Sequence, residues 1–353
     1  MMKPASKRLL SLLLIALTPC LLLWMTSCKN NGKIVTSATG TIYEILVVCN
    51  NNYWEGEQGD TLRAYLQADM PCMPQMEPYF SVSQVSWANF DDMLMPVRNI
   101  LMVDVNPQKY TAAKLSYSTD LYAHPQAVAR ISAPSGEELQ ALINEKSKAI
   151  QTWFVRQELE RQASFYKRFC NHEASDLILK KFGVQMYIPA DYQLIKEDPD
   201  FVWCCNNNGP KRRDIVVYSY PYTDPNTFTK DYLLTMRDSV MHRIDGYVEG
   251  SYMGTEYKIF PPQFQAISVN DNAYCAEIRG LWRLKGGAAM GGPFVQHTRL
   301  DETHQRIVTA EAFVYAGGQQ KRNVYRQAEA ILYTMKMPEE INAIKEVKVT
   351  GDK

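Results

Sequence analysis

From Phe264 to Tyr315 the chain reads FQAISV (264–269), AYCAEIRGLW (273–282), PFVQHTR (293–299) and QRIVTAEAFVY (305–315), joined by NDN, RLKGGAAMGG and LDETH. Each run is rich in β-branched and aromatic residues, and each joint holds the Gly, Asn or Asp that turns require. Four strands with short connections make an antiparallel meander. Working outward, strand-like segments recur at 184–188, 201–205, 214–220 and 256–260. A helix over 229–244 places Tyr232, Leu233, Met236, Val240, Met241 and Ile244 on one stripe. A second over 320–335 does the same with Val324, Tyr325, Ala328, Ile331, Leu332 and Met335. Residues 184–338 therefore read as an antiparallel α+β module with helices on one face.

Upstream the pattern changes. Apolar runs at 42–48, 80–85 and 99–105 are expected strands, and Asp60 is an N-cap candidate for a helix over Thr61–Leu66. These make residues 42–134 a small α/β layer. Ser135 followed by Glu138 fits a capping box, and apolar residues from Leu139 to Phe169 fall mostly at helical spacing. A second helix over about 174–182 stops at Gly183, so 135–183 reads as connecting helices and 339–353 as a flexible tail. The fold class is α+β. The order of elements in the carboxy-terminal module weakly resembles the PsbP or Mog1-like arrangement, an analogy of fold alone.

The amino terminus predicts export. Lys3, Lys7 and Arg8 precede an apolar run from Leu9 to Met25, and Thr26-Ser27-Cys28 resembles a lipobox. Cutting before Cys28 removes residues 1–27, leaving lipid on Cys28 and a small, polar tether over 28–41. Cys20 is the rival, but Pro19 stands where a small, flexible residue is needed. An uncleaved signal anchor is the other alternative, since the run is near the lower length limit for a spanning helix.

The first 27 residues hold three bases and no acid, so the remainder carries 35 basic against 38 acidic side chains. That balance leaves no electrostatic footprint for nucleic acid and no polybasic membrane patch. Cys49, Cys72, Cys170, Cys204, Cys205 and Cys275 contain no Cys-x-x-Cys. Free thiols are the favoured reading, ahead of one structural disulfide or a redox site. The five histidines lie apart, with no metal-ligand spacing, and no cofactor motif is present.

Three features invite a functional reading. Gly286-Gly287-Ala288-Ala289-Met290-Gly291-Gly292-Pro293-Phe294 is a loop between strands, a lid, or an anion cradle if its amides converge. Alternation puts Arg279 and Trp282 on opposite faces of a strand, and Gly280 between them predicts a bulge or a close neighbour. Pro74-Gln75-Met76-Glu77-Pro78-Tyr79-Phe80 is a stiff segment suited to a turn or a docking loop.

These segments resemble domain of unknown function 4837, an uncharacterised family of Bacteroidota lipoproteins. The residues that carry the resemblance are Trp54-Glu55-Gly56, Glu77-Pro78, His124-Pro125-Gln126, Arg237-Asp238, Ser251-Tyr252-Met253, Arg279-Gly280-Leu281-Trp282, Gly291-Gly292-Pro293-Phe294 and Lys321-Arg322. The resemblance implies an envelope lipoprotein and no known activity. Lys29-Asn30-Asn31 lacks the acidic run of surface-exported lipoproteins, so an outer-membrane position facing the periplasm is expected. The leading expectation is non-catalytic binding of an envelope protein partner, or support of envelope assembly. One alternative is a small-molecule or lipid carrier with an aromatic cleft near Trp282 and Tyr252. The other is a hydrolase using Glu77 or Glu277 with Arg279. Binding or docking candidates are thus Trp282, Arg279, Tyr252, Gly291, Gly292, Phe294 and Glu77.

Overall fold

The computed structural model describes residues 36–351 except 271 and 288. The expected signal peptide, Cys28 and the tether as far as Val35 lie outside the described residues. Strand β1 (Glu44–Val48) is apolar at every position after the first and buried on both faces. Ile45 and Val47 enter one cluster, Leu46 and Val48 another with Trp87 and Phe90. Such a strand suits the interior of a parallel sheet. It pairs in parallel with β2 (Ser81–Val85) and β3 (Asn99–Val105). With β4 (Lys114–Thr119) and β5 (Ala127–Ala133) the order is β2-β1-β3-β5-β4, only β4 being antiparallel.

Helix α1 (Glu57–Leu66) links β1 to β2 and begins after Gly56, so Asp60 lies in its first turn and does not cap it. Helix α2 (Gly136–Arg168) begins at Ser135, whose hydroxyl accepts from the Glu138 amide. Glu138 does not complete the capping box; its carboxylate accepts from the Ala113 amide. Leu139, Ile143, Ile150 and Phe154 of α2 pack on the first sheet, while Leu159 and Tyr166 join the core of the second. Phe165 and Phe169, expected on the apolar stripe, are exposed. Helix α3 (His172–Phe182) ends at Gly183, whose φ of 66° is the left-handed cap that glycine adopts without strain.

The second sheet is antiparallel throughout. Its strands are β6 (Gln193–Asp198), β7 (Phe201–Asn206), β8 (Arg212–Pro221), β9 (Tyr252–Glu256), β10 (Gln263–Val269), β11 (Ala273–Lys285), β12 (Gly291–Asp301) and β13 (Arg306–Tyr315). The order is β9-β11-β12-β13-β8-β7-β6, with β10 also beside β11. The 13-residue β11 takes β10 along its first half and β9 along its second. Side chains alternate along β8: Ile215 and Val217 meet α3 and α5 (Arg322–Leu332), whereas Val216 and Tyr218 meet α4 (Lys230–Met241). The class is the expected α+β, but the helices lie on both faces of this sheet and not on one as expected, because both faces are apolar.

Several local expectations change. Residues 184–188 are extended and bury Val184, Met186 and Ile188, but they form only an isolated bridge between Gln185 and Lys336. The strand expected at 256–260 is β9, which ends where it was to begin. The Glu256 carboxylate accepts from the Lys258 and Ile259 amides and closes a turn there. Strands β4 and β6 were not expected, being exposed and polar, and neither was β5 with its small residues. Helix α6 (Pro338–Gly351) stands where a flexible tail was expected, tied down by the ion pair of Glu340 with Arg299.

Candidate functional site

β11 sends Glu277 and Arg279 to one face and Trp282 to the other, as alternation requires. On the first face Arg279 grips Glu277 twice, Nε to Oε1 at 2.6 Å and Nη2 to Oε2 at 2.7 Å. The Gln265 amide donates to Oε1 of Glu277, and His297 Nε2 lies 3.1 Å from its Oε2. Arg279 also pairs with Glu329 of α5, which Arg326 holds through Nη1 at 2.7 Å. Glu277, Arg279, Arg326 and Glu329, without His297, floor a cleft of about 810 Å³ between α2 and β10.

Burial opposes ionisation of both carboxylates, and the cations outweigh it. Arg279 with His297 holds Glu277 below the usual carboxylate range; Arg279 and Arg326 do the same for Glu329. Carboxylates so held have no proton to donate near neutral pH and are weak bases. The cluster is suited to tying α5 to β11 through mutually paired charges.

On the opposite face Trp282 donates to the Val314 carbonyl at 3.0 Å. Trp282, Trp203, Phe313 and Tyr315 line a pocket of about 220 Å³, bordered by Met290 of the glycine-rich loop and by Tyr247. Tyr252 is not in its wall; its ring stacks on His242 with centroids 3.8 Å apart. Gly291 and Gly292 belong to β12, opposite Arg283 and Trp282. They are sheet backbone and form no anion cradle. Phe294 crosses Gly280, filling the space a side chain there would take.

Beneath Phe294 lies a cation that the sequence offered only as part of the Arg237-Asp238 motif, with no role in a site. Arg237 of α4 is fully buried, its guanidinium 3.7 Å from the Phe294 ring centroid. It holds Glu311 at 2.8 and 2.6 Å and Thr255 at 2.7 Å. The signal was present, since Arg237 falls between Leu233 and Met241 on the apolar stripe. Glu329 and Arg326 were likewise missed on the stripe of α5.

Glu77 is remote in role from Glu277. Its carboxylate accepts from the amides of Lys321 and Arg322 at 2.7–2.9 Å, closing the amino-terminal end of α5. Arg322 Nη1 donates to the Pro78 carbonyl, and Gln75 donates to that of Gln319. The Pro74–Phe80 segment thus docks within the molecule. The six described cysteines are free thiols. Burial pushes Cys49, Cys204, Cys205 and Cys275 up to about 12, which keeps them protonated near neutral pH. Among the described residues, no group of three or more His, Cys, Asp or Glu side chains is placed to hold a metal.

Residues 171–334 match the family described as Domain of unknown function (DUF4837), and residues 38–167 match Domain of unknown function (DUF8532). The resemblance to the first family therefore holds for the carboxy-terminal part, and the amino-terminal motifs fall in the second. No curated protein matches the chain. Among solved structures, a mutant of the protein Mog1 is 9% identical with a TM-score of 0.30, over 44% of this chain and 90% of that one. The Ran-binding protein Mog1p of Saccharomyces cerevisiae is 8% identical with the same TM-score and coverage. The lipid transfer and protein localization domain of human StarD13 is 7% identical with a TM-score of 0.18, over 51% of this chain and 96% of that one.

Proposed function

We propose that this chain, matched in its two parts by two families of unknown function, is a lipid-anchored envelope protein that binds a protein partner without catalysis. The observation that supports binding is the cleft between α2 and β10, whose floor carries charges already satisfied by one another. The carboxylates named for a hydrolase are occupied: Glu277 by Arg279, and Glu77 by the backbone of α5. The anchor in this reading is lipid on Cys28, with the body facing the periplasm. Pulldown of the intact chain from envelopes in mild detergent is expected to recover a stoichiometric partner, and Cys28→Ala to abolish labelling by a fatty-acid analogue. Repeated recovery of nothing counts against partner binding, and persistent labelling moves the anchor elsewhere. The small-molecule reading draws its support from the aromatic pocket at Trp282, although about 220 Å³ is small beside the roughly 300–1,000 Å³ of most ligand sites.

A further inference from the structure

β10 pairs with β11 along one edge, and among the described residues its other edge pairs with no strand. Exposed edges in folded proteins are ordinarily protected by Pro, Lys, an inward charge or a bulge. QFQAISV has none of these: it carries no charge, its register is unbroken over seven pairs, and four of its seven residues are exposed. This unprotected strand borders the cleft of about 810 Å³, with α2 as the facing wall. A slot between a strand and a helix accommodates an extended peptide, which satisfies the open edge with its own backbone.

The side chains around the slot give that peptide a sign. Lys148, Arg156, Arg279 and Arg326 line it against Glu160, Glu277 and Glu329. Each acid is paired with one or more of those arginines, whereas Lys148 has no acidic partner among the described residues. Arg326 is spent on Glu329, so the free charge sits on the α2 wall at Lys148. The slot has an excess of one cation, Lys148.

We propose that an acidic segment of a partner protein binds here in extended form, adding a strand to the open edge of β10. The proposal rests on the partner-binding reading and names the surface for it. The probes are fluorescein-labelled heptapeptides of alternating Val and Glu, and of alternating Val and Lys, titrated against the full chain in mild detergent. The Val/Glu peptide is expected to raise anisotropy saturably and to slow amide exchange across 263–269. The Val/Lys peptide is expected to bind more weakly by about tenfold or more. Thr152→Trp and Ser164→Trp, at exposed positions on the α2 wall, are each expected to weaken Val/Glu binding by about tenfold with the circular dichroism unchanged. Absence of saturable binding overturns the proposal, as does binding that leaves exchange at 263–269 or the Trp variants unaffected. Equal affinity for the two peptides overturns the acidic specificity. An envelope partner retained by Thr152→Trp would leave partner binding standing and remove strand addition; recovery of no partner by the unaltered chain removes both.

Discussion

A Cβ built on Gly292 would lie 2.1 Å from the Val314 carbonyl oxygen and 3.1 Å from Trp282 Nε1. The obstacle is backbone, so Gly292→Ala must push β12 from β13 and disturb the bond from Trp282 to Val314. A loss of about 3 kcal/mol is expected in urea denaturation, with a red shift in tryptophan emission. Gly280→Ala meets the Phe294 ring at 2.7 Å, a side chain that can turn, so about 1 kcal/mol is expected there. A larger loss at Gly280 than at Gly292 would contradict this account. Arg237→Met strands the Glu311 carboxylate in a fully buried position, with an expected cost of about 3–5 kcal/mol. Adding Glu311→Gln to that variant should recover part of it, and no recovery would mean that the pair is not what Arg237 serves. Both glycines were visible as motifs in the sequence; that they make room for an indole and a phenyl ring depends on cross-strand register.

Helix α5 packs its apolar stripe on the second sheet, and its amino-terminal end is held by Glu77 from the segment that leads into β2. Its apolar stripe was legible, and so was the oddity of Glu77-Pro78, but the two are 244 residues apart and nothing local connects them. The physical link is the set of unpaired amides at a helix start, which a carboxylate satisfies and its charge favours. Glu77→Ala leaves the Lys321 and Arg322 amides without that acceptor, and about 2 kcal/mol of stability should be lost. Glu77→Gln keeps one acceptor oxygen and should lose less. Thermal denaturation of the two variants checks the order; equal losses would show that charge and acceptor contribute nothing separable.

Over the whole molecule, the depressed carboxyls set the acid limit. Glu277, Glu329 and Glu340 are all held below their ordinary value, with burial opposed by Arg279, by Arg279 and Arg326, and by Arg299 respectively. In the unfolded chain they take up protons first. Their contribution is therefore present above the unfolded value and lost as pH falls through the folded ones. Unfolding free energy should begin to drop below about pH 5 and go on dropping as pH falls through the folded values, and the slope should be shallower in Glu277→Gln. An unchanged acid slope in that variant would remove Glu277 from the acid limit.

The sequence by itself determined the α+β class, the antiparallel meander, the stripes of α4 and α5, the left-handed stop at Gly183 and the division of Arg279 from Trp282. Each of these follows from a period or a turn within a few residues of chain. Only the tertiary structure decided that Glu77 caps α5, that Arg237 meets Glu311, that helices cover both faces of the large sheet, and that β10 is left with an open edge. Those outcomes depend on which strands pair and which charges are buried together. Coulombic attraction and desolvation act across space, whereas periodicity acts along the chain, so the first set could be read from the residues in order and the second could not.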